Sequence, residues 1–275
     1  MARILAISSQ VARGHVGLSI IVPALQALGH DVIALPTIIL SNHPGHAHAA
    51  GTQIAPSILA QMFEALSANG WLGGVDAILT GYLPSVAHVA FARNAVLHIK
   101  QMRGSNSTIH LCDPVLGDDP KGLYIDEAAA NAIRDQLNPI ADIATPNRFE
   151  LSFLTRRNIR SVRDALAHPL KIPLTIATSI PSANVSETIN ALISDQTQSV
   201  TRVPLRPNAP HGTGDLFSAL ILAAVLGNQS TAAALAFATA GVDQALAKSA
   251  HHDNLQISAL PKQTRLANSW PLEPI

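Results

Sequence analysis

The sequence is poor in cysteine and in charge, and each shortage narrows the function classes. A single cysteine, Cys112, occurs in 275 residues, so no intramolecular disulfide can form, and its apolar surroundings predict a buried, unreactive thiol. Charged residues make up 13%, and Lys+Arg and Asp+Glu both number 18, so the formal net charge is zero. A neutral chain lacks the electrostatic footprint that nucleic acids require. We therefore expect no nucleic-acid partner.

Long apolar runs and two common nucleotide-binding motifs are also missing. No apolar run approaches the ~18 residues of a membrane span, and the short apolar stretch 3–7 is followed at once by polar Ser8-Ser9-Gln10. We therefore expect no membrane partner and a cytoplasmic location. The chain contains neither a phosphate loop ending in Gly-Lys-Ser/Thr nor a Gly-x-Gly-x-x-Gly fingerprint, which argues against a dehydrogenase.

Hydrophobic residues are abundant, and they follow an alternating pattern. At 48% of the chain they argue against disorder and supply a large core, which we interpret as one α/β domain over residues 1–275. Short apolar runs predict strands at residues 3–7, 31–35, 77–79, 108–112, 142–144 and 174–177. Segments of helical length predict helices at residues 16–28, 54–67, 86–102, 126–137, 213–226 and 231–247.

This alternation of strands and helices predicts a mainly parallel sheet with helices on both faces, because right-handed crossovers place them there. The rhythm changes after residue 177. Residues 191–193 and 199–204 flank Asp195-Gln196 and predict an antiparallel hairpin late in the chain. The tail 263–275, which contains Pro271 and Pro274, is expected to be irregular.

The strongest local signal for chemistry is Gly212-Thr213-Gly214-Asp215 at the start of predicted helix 213–226. Glycines at a helix start let backbone N–H groups approach an anion, and the helix dipole favours negative charge there. Asp215 has two interpretations. Local physics alone favours an N-cap, and the alternative is a general base beside a phosphoryl group.

Two further acidic motifs follow predicted strands. Thr145-Pro146-Asn147 with Glu150 comes after strand 142–144, and the segment 113–118, which begins and ends with Asp, comes after strand 108–112. The carboxyl edge of a parallel sheet is where open α/β proteins bind their ligands. Each motif also fits an ordinary helix start or turn, but three acidic sites together favour a phosphate and cation site.

Taken in order, these motifs resemble those of the pyridoxal kinases in the ribokinase-like superfamily, over nearly the whole chain. The matching segments are residues 7–11 with 14–17, 35–37 with 41–46, 81–83, 113–118, 145–147 with Glu150, 178–179 and 212–215. The resemblance implies a ribokinase-like three-layer α/β/α sandwich with a mainly parallel central sheet. It also implies ATP-dependent phosphorylation of the 5′-hydroxymethyl group of pyridoxal, pyridoxine or pyridoxamine in vitamin B6 salvage, by a homodimer.

The resemblance also implies roles for individual residues. Asp215 would take the proton from the substrate hydroxymethyl group, and the backbone of Gly212, Thr213 and Gly214 would form the anion hole. The implied nucleotide-binding residues are Asp113, Asn147, Glu150, Thr178, Ser179 and Thr213. The implied metal-binding residues are Asp113 and Glu150 for Mg²⁺, and Thr145 for a monovalent cation, K⁺ or Na⁺. The implied substrate-pocket residues are Ser9, Thr37, His43, His46 and Tyr82.

Two departures from the family pattern leave other functions open. Gln10 stands where the family often carries His, and Ala49-Ala50 replace an aromatic residue, whose loss typically weakens ring binding by ~1 kcal/mol. The alternatives are a hydroxymethylpyrimidine kinase or another small-alcohol kinase of the same fold, and a non-catalytic pyridoxal-binding protein. Asp215 argues against the pyrimidine kinase, which tends to carry Cys there. The histidines at 43, 46 and 48 match no zinc pattern.

Overall fold

The computed structural model describes residues 1–104, 107–206, 209–257 and 270–274. Within these ranges the strands are β1 (Arg3–Val11), β2 (Asp31–Leu40), β3 (Gly51–Gln53), β4 (Val75–Thr80), β5 (Ile109–Cys112), β6 (Gly117–Asp118), β7 (Gly122–Leu123), β8 (Ile143–Ala144), β9 (Leu174–Pro181), β10 (Glu187–Ile193), β11 (Gln198–Pro204) and β12 (Glu273–Pro274). The α-helices are α1 (Leu18–Ala27), α2 (Pro56–Ala68), α3 (Val86–Arg103), α4 (Glu127–Ala132), α5 (Arg148–Thr155), α6 (Val162–Ala167), α7 (Thr213–Leu226) and α8 (Thr231–Lys248). None of these helices combines the length and the apolar character that crossing a bilayer demands.

Ten of these strands form one sheet, in the order β12-β11-β10-β9-β8-β5-β4-β1-β2-β3. The six neighbours from β9 to β2 run parallel to one another. Strands β10 and β11 form an antiparallel hairpin beside β9, and β3 pairs antiparallel with β2 at the other side. Strands β6 and β7 make a separate short hairpin. The predicted parallel sheet with a late antiparallel hairpin is therefore confirmed.

Helices cover both faces of the sheet, because successive residues of a strand point to opposite faces. In β1, Ile4 and Ala6 pack in one core with α1, α7 and α8, whereas Leu5 and Ile7 pack in a second core with α2, α3 and α4. A third cluster buries α5 and α6 against β9, β10 and β11. The predicted α/β/α layering is confirmed. That residues 1–275 form a single domain stays a prediction, which the continuous sheet supports.

Some elements of the structure are longer than the sequence predicts, and others were not predicted at all. Strands β1 and β2 run on to residues 11 and 40, although Ser8 and Pro36 predict earlier ends. Pro36 is accommodated because the register of β1 with β2 shifts just beyond it. The interpretation missed β3, the hairpin β6–β7, α5 and α6. Predicted helix 126–137 is α4 followed by a π-helical turn over Ile133–Leu137.

The prediction of an irregular tail is wrong for its last described residues. Glu273 and Pro274 pair with β11, the Glu273 carboxylate accepts a hydrogen bond from Arg202 Nε at 2.9 Å, and Trp270 Nε1 donates to the Arg202 carbonyl at 2.9 Å. Residues 263–269 of that prediction lie outside the described residues. Cys112 is buried as expected, and burial raises the pKa of its thiol to about 12, which keeps it unreactive.

Helices α7 and α8 pack through Gly241, which leads to a test of the fold. A Cβ added at Gly241 would lie 2.5 Å from Leu220 Cδ1. We expect Gly241→Val to lower the free energy of unfolding by ~1–3 kcal/mol in urea denaturation, because it overfills a buried contact. Gly73→Val is the matched control, since a Cβ there meets nothing within 4 Å. Equal effects of the two changes would contradict this packing.

Candidate active site

The carboxyl edge of the parallel strands gathers most of the residues singled out by sequence. Asp113 directly follows β5, Thr145 directly follows β8, and Thr178 lies in β9 where that strand passes Asn147. Strand register places these ends side by side, because Thr80, Cys112 and Ala144 are successive partners across β4, β5 and β8. The topology therefore produces one ligand-binding edge, as sheets of this kind do.

Asp215 lies in the first turn of α7 but does not cap that helix. The N-cap is Gly212, at φ +100°, and a Cβ there would lie 1.8 Å from the His15 carbonyl oxygen, so only glycine fits. Asp215 Oδ2 instead accepts a hydrogen bond from the Gly17 N–H at 2.9 Å. The N-cap interpretation of Asp215 is therefore wrong. At Gly214 an added Cβ would meet nothing within 4 Å, so space lies open beside the helix start.

Ser9 is adjacent to the segment that holds Asp215. A Cβ at Gly17, which has φ +54°, would lie 2.2 Å from the Ser9 carbonyl oxygen and 2.4 Å from Ser9 Oγ. Ser9, Gly17 and Asp215 thus form one cluster, with Ser9 and Asp215 both partly accessible. Burial raises the pKa of Asp215 to about 6, although the Gly17 N–H acts in the opposite direction. At neutral pH Asp215 is a carboxylate with enough basicity to accept a proton.

Asp113 is a buried carboxylate within a short hydrogen-bond chain. Ser218 Oγ donates to Asp113 Oδ2 at 2.9 Å, and Ser218 Oγ lies 2.8 Å from Thr145 Oγ1. Burial, and then the negative charge of Asp215, raise the pKa of Asp113 to about 8. Acidic side chains forced together in this way favour an added cation, which would stabilise their ionised forms. The chain also connects Asp113 to α7, since Ser218 lies in that helix.

Asn147 and Glu150 form a reciprocal cap at the start of α5. Asn147 Oδ1 accepts from the Glu150 N–H at 2.9 Å, and Glu150 Oε2 accepts from the Asn147 N–H at 2.8 Å. Glu150 Oε1 also accepts from the Leu116 N–H at 3.0 Å, and Asn147 Nδ2 donates to the Gly117 carbonyl at 2.8 Å. Burial, and then Asp113, raise the pKa of Glu150 well above its usual range. Both residues therefore join the loop 113–118 to α5.

Thr178 and Ser179 lie in β9 close to this cap. The Thr178 N–H donates to the Pro146 carbonyl at 2.8 Å, and Thr178 forms an isolated parallel β-bridge with Asn147. Ser179 is exposed and has a left-handed backbone at φ +58°, a rare conformation for a residue with a side chain. An observed backbone outlier at a ligand-binding edge is typical of functional segments.

Thr37 and Tyr82 meet on the substrate side of the predicted site. The Thr37 hydroxyl is fully buried and donates to the Tyr82 carbonyl at 2.8 Å, so it fixes the position of the Tyr82 backbone. The Tyr82 N–H donates in turn to Ser8 Oγ at 3.1 Å. Sequence reasoning missed Ser8, although the polar Ser8-Ser9 pair at a strand end was the available signal.

His43 lies on the loop 41–50 between β2 and β3, with its ring stacked on His211. The ring centroids are 3.7 Å apart and the planes differ by 23°. His46 is exposed and its backbone N–H donates to the His43 carbonyl at 3.2 Å. Of the predicted pocket residues, the structure thus joins Thr37 to Tyr82, Ser9 to the Asp215 segment, and His43 to the residue before Gly212.

Two buried polar atoms in the site segments find no hydrogen-bond partner within the described residues: His15 Nδ1 and Asp118 Oδ1. Neither residue received a role from sequence, nor did Ser218. Asp118 ends the loop that Asn147 and Glu150 hold, and an unpartnered carboxylate oxygen there is suited to a cation. Within the described ranges, no group of three or more His, Cys, Asp or Glu side chains is arranged to hold a metal.

Comparison with known proteins agrees with this geometry. The family model described as phosphomethylpyrimidine kinase matches residues 22–258. The chain is 33% identical over 245 residues to the pyridoxal kinase PdxY of Deinococcus radiodurans, covering 84% of this chain and 82% of that protein. It is 35% identical over 242 residues to the pyridoxal kinase of Sus scrofa, covering 81% and 74%.

A solved structure supports the same assignment. The pyridoxal kinase from Leishmania donovani in complex with ADP and pyridoxamine superposes with a TM-score of 0.91 at 26% identity, covering 99% of each chain. The ribokinase-like architecture expected from the resemblance is thereby confirmed. The chain therefore belongs to the pyridoxal kinases, within the family that the phosphomethylpyrimidine kinase model describes.

Proposed function

We propose that this kinase transfers the γ-phosphoryl group of ATP to the 5′-hydroxymethyl group of pyridoxal, and of pyridoxine and pyridoxamine, in vitamin B6 salvage. The observation that carries the proposal is Asp215, a partly accessible carboxylate at the start of α7 that the Gly17 N–H orients beside Ser9. The names of the relatives and the ADP and pyridoxamine of the Leishmania donovani structure support the same reaction.

Asp215 acts as the general base in this proposal. Its carboxylate accepts the hydroxymethyl proton while the substrate oxygen attacks the γ-phosphorus, and the leaving ADP retains the bridging oxygen. The Gly17 N–H fixes one carboxylate oxygen at 2.9 Å, so the other is available for the proton. A pKa near 6 keeps the base ionised at neutral pH without making it too weak to accept.

The backbone of Gly212, Thr213 and Gly214 stabilises the transferring phosphoryl group. The first N–H groups of α7 have no partners within the helix, and the helix dipole adds partial positive charge at this end. Open space beside Gly214 allows close approach of an anion. Phosphoryl transfer depends mainly on positioning and charge stabilisation, so these groups and Asp215 suffice without a covalent intermediate.

Mg²⁺ fits the acidic residues on the nucleotide side. Asp113 and Glu150 would organise it, and the unpartnered Asp118 Oδ1 is an additional candidate ligand. Both Glu150 oxygens already accept backbone N–H groups, so Glu150 acts through water. Bound Mg²⁺ would neutralise charge on the ATP phosphates. Few protein ligands are needed, because Mg²⁺ retains waters and uses substrate phosphates.

The remaining polar groups of that edge complete the nucleotide side. Asn147, Thr178, Ser179 and Thr213 are proposed to contact the nucleotide, and Thr145 to bind a monovalent cation, K⁺ or Na⁺. The partly exposed Thr178 and the left-handed Ser179 at the ligand-binding edge support these roles. Thr145 contributes through its hydroxyl contact with Ser218, whose own proton goes to Asp113.

The vitamer pocket lies on the Ser9 side of Asp215. Ser9 is proposed to hydrogen-bond the pyridine ring or its hydroxyl, with Thr37, His43, His46 and Tyr82 lining the space. The proximity of Ser9 to the Asp215 segment and the Thr37–Tyr82 hydrogen bond support this placement.

A homodimer in the cytoplasm is the assembly and location that we propose. Large apolar side chains are exposed on α2, at Ile58 and Met62, and on α3, at Val86 and Leu97. Exposed apolar surface on neighbouring helices is suited to a protein interface, and this supports the proposal of a dimer. Sedimentation velocity distinguishes a dimer from a monomer.

A second candidate substrate is hydroxymethylpyrimidine, which the description of the matching family model favours. Four parallel incubations with Mg·ATP test the proposal, using pyridoxal, pyridoxine, pyridoxamine and hydroxymethylpyrimidine with product detection by mass. We expect pyridoxal 5′-phosphate. Phosphorylation of the pyrimidine alone would keep the mechanism but replace the substrate. No product from any of the four would favour a binding protein or an untested alcohol.

Asp215→Asn tests the base while preserving an acceptor for the Gly17 N–H. We expect kcat to fall by ~10²–10⁴-fold, because a general base contributes about that much, while the affinity for ADP measured by calorimetry changes little. Asp195→Asn, on the exposed turn between β10 and β11, is the matched control with unchanged turnover. Wild-type turnover in Asp215→Asn would remove this residue from the mechanism.

The pH dependence of the reaction provides an independent test of Asp215. The proton acceptor must be ionised, and its pKa is about 6, so kcat should decline about tenfold per pH unit below pH 6 and level off above it. The acid limb should be absent from the residual activity of Asp215→Asn. A profile that is flat from pH 5 to pH 8 in the wild type contradicts the assignment of the base.

A further inference from the structure

His211 has no role in the mechanism above, yet it connects two parts of the candidate site. Its ring stacks on His43 of the loop 41–50, with centroids 3.7 Å apart. His211 directly precedes Gly212, the N-cap of α7, so one ring belongs to the vitamer side and the other to the anion-binding turn. The contact therefore joins two segments that are distant in sequence.

The loop backbone lies close against both rings, with His43 partly buried and His211 exposed. A Cβ added at Gly45 would lie 2.8 Å from His211 Nε2 and 2.9 Å from His43 Nδ1, so the backbone there runs against both rings. The Gly45 N–H donates to His43 Nδ1 at 3.0 Å, which places the proton of neutral His43 on Nε2. A flat ring at position 211 fits this arrangement, because it lies nearly parallel to the His43 ring.

Both rings are neutral near pH 7, which is compatible with stacking. Burial first, and then the neighbouring His211, Lys121 and His46, lower the pKa of His43 to about 4, against an opposing contribution from Asp118. Burial, Lys121 and His46 also lower the pKa of His211, again opposed by Asp118. Two neutral rings at this distance attract through dispersion and polarised edges, with no charge repulsion to overcome.

The loop's own hydrogen bonds shape it without attaching it to α7. The Ser41 N–H donates to the Ala50 carbonyl at 2.7 Å, and Asn42 Nδ2 donates to the His48 carbonyl at 2.9 Å. Both bonds join loop residues to each other. Ala49 and Ala50 have no ring to contribute. Among the described residues of the loop, His43 makes the ring contact, and its partner is His211.

We propose that His211 is a positioning residue, whose stacking on His43 latches the loop 41–50 to the start of α7 and so completes the vitamer pocket beside the anion hole. The inference rests on the proposed function, since it assigns a task in binding the same substrate. No described contact joins His211 to Asp215, Asp113 or Glu150. The latch therefore acts on substrate affinity more than on the chemical step.

His211→Ala tests the latch through kinetics. We expect KM for pyridoxal to rise about threefold to tenfold, as loss of one aromatic pair implies, while kcat changes by less than about twofold. His211→Phe keeps a stacking ring and should restore KM to within about twofold of the wild type. His48→Ala, an exposed histidine of the same loop, is the matched control. An unchanged KM in His211→Ala, or no rescue by Phe, overturns the proposal.

A double-mutant cycle that combines His211→Ala with His43→Ala tests whether the two rings act as a pair or bind substrate independently. If the rings act as a pair, the double variant should be no worse than the more damaging single variant. Effects on KM that multiply would contradict the pair.

Amide hydrogen exchange of residues 41–50 in the absence of substrate supplies a readout independent of activity. Exchange should accelerate in His211→Ala and not in His211→Phe, whereas equal exchange in all three proteins overturns the latch. If the wild type makes no pyridoxal 5′-phosphate, the proposed function fails and this measurement still decides whether the latch exists.

Discussion

The candidate site depends on the contact between the turn at residues 14–17 and the first turn of α7. Gly212 can approach the His15 carbonyl only because it has no Cβ, and its left-handed backbone turns the chain into the helix there. That approach brings Asp215 within 2.9 Å of the Gly17 N–H. One backbone contact therefore sets the position of the proposed base, the direction of the anion-binding N–H groups and the distance from both to Ser9.

The same arrangement buries three carboxyl groups close together, where their ionised forms are unfavourable in the absence of a bound cation. In the fold the pKa of Asp113 is about 8, far above its ordinary 3.8, so the protonated form is the one that folding favours. Stability that this group contributes at low pH is therefore lost as the pH rises from about 4 to about 8. Glu150 and Asp215 shift in the same direction. Near neutral pH these carboxyl groups therefore lower the stability of the fold when no cation is bound, and a bound cation would offset this cost. Perturbed pKa values of this kind are common at functional sites.

The sequence predicted the parallel sheet, the late hairpin and α7, because those elements have strong local patterns. It missed α5, and local physics favoured the wrong one of the two interpretations of Asp215, for one reason: both depend on partners distant in sequence. The Asn147–Glu150 cap was visible as a spacing, but its attachment to Leu116 and Gly117 is tertiary. No local rule indicates that Asp215 would bond to Gly17 and leave capping to a glycine. His211 had no signal at all, since its partner lies across the fold.

Ser8 and Ser9 show how strand geometry divides like residues between structure and function. Successive residues of β1 point to opposite faces, so neighbouring hydroxyls cannot share a task. Ser8 is fully buried and accepts from the Tyr82 N–H, and a Cβ at Gly81 would lie 2.4 Å from its hydroxyl. Ser9 remains partly accessible beside Gly17. The first hydroxyl therefore fixes the turn that presents Tyr82, which leaves the second as the one that a substrate can reach.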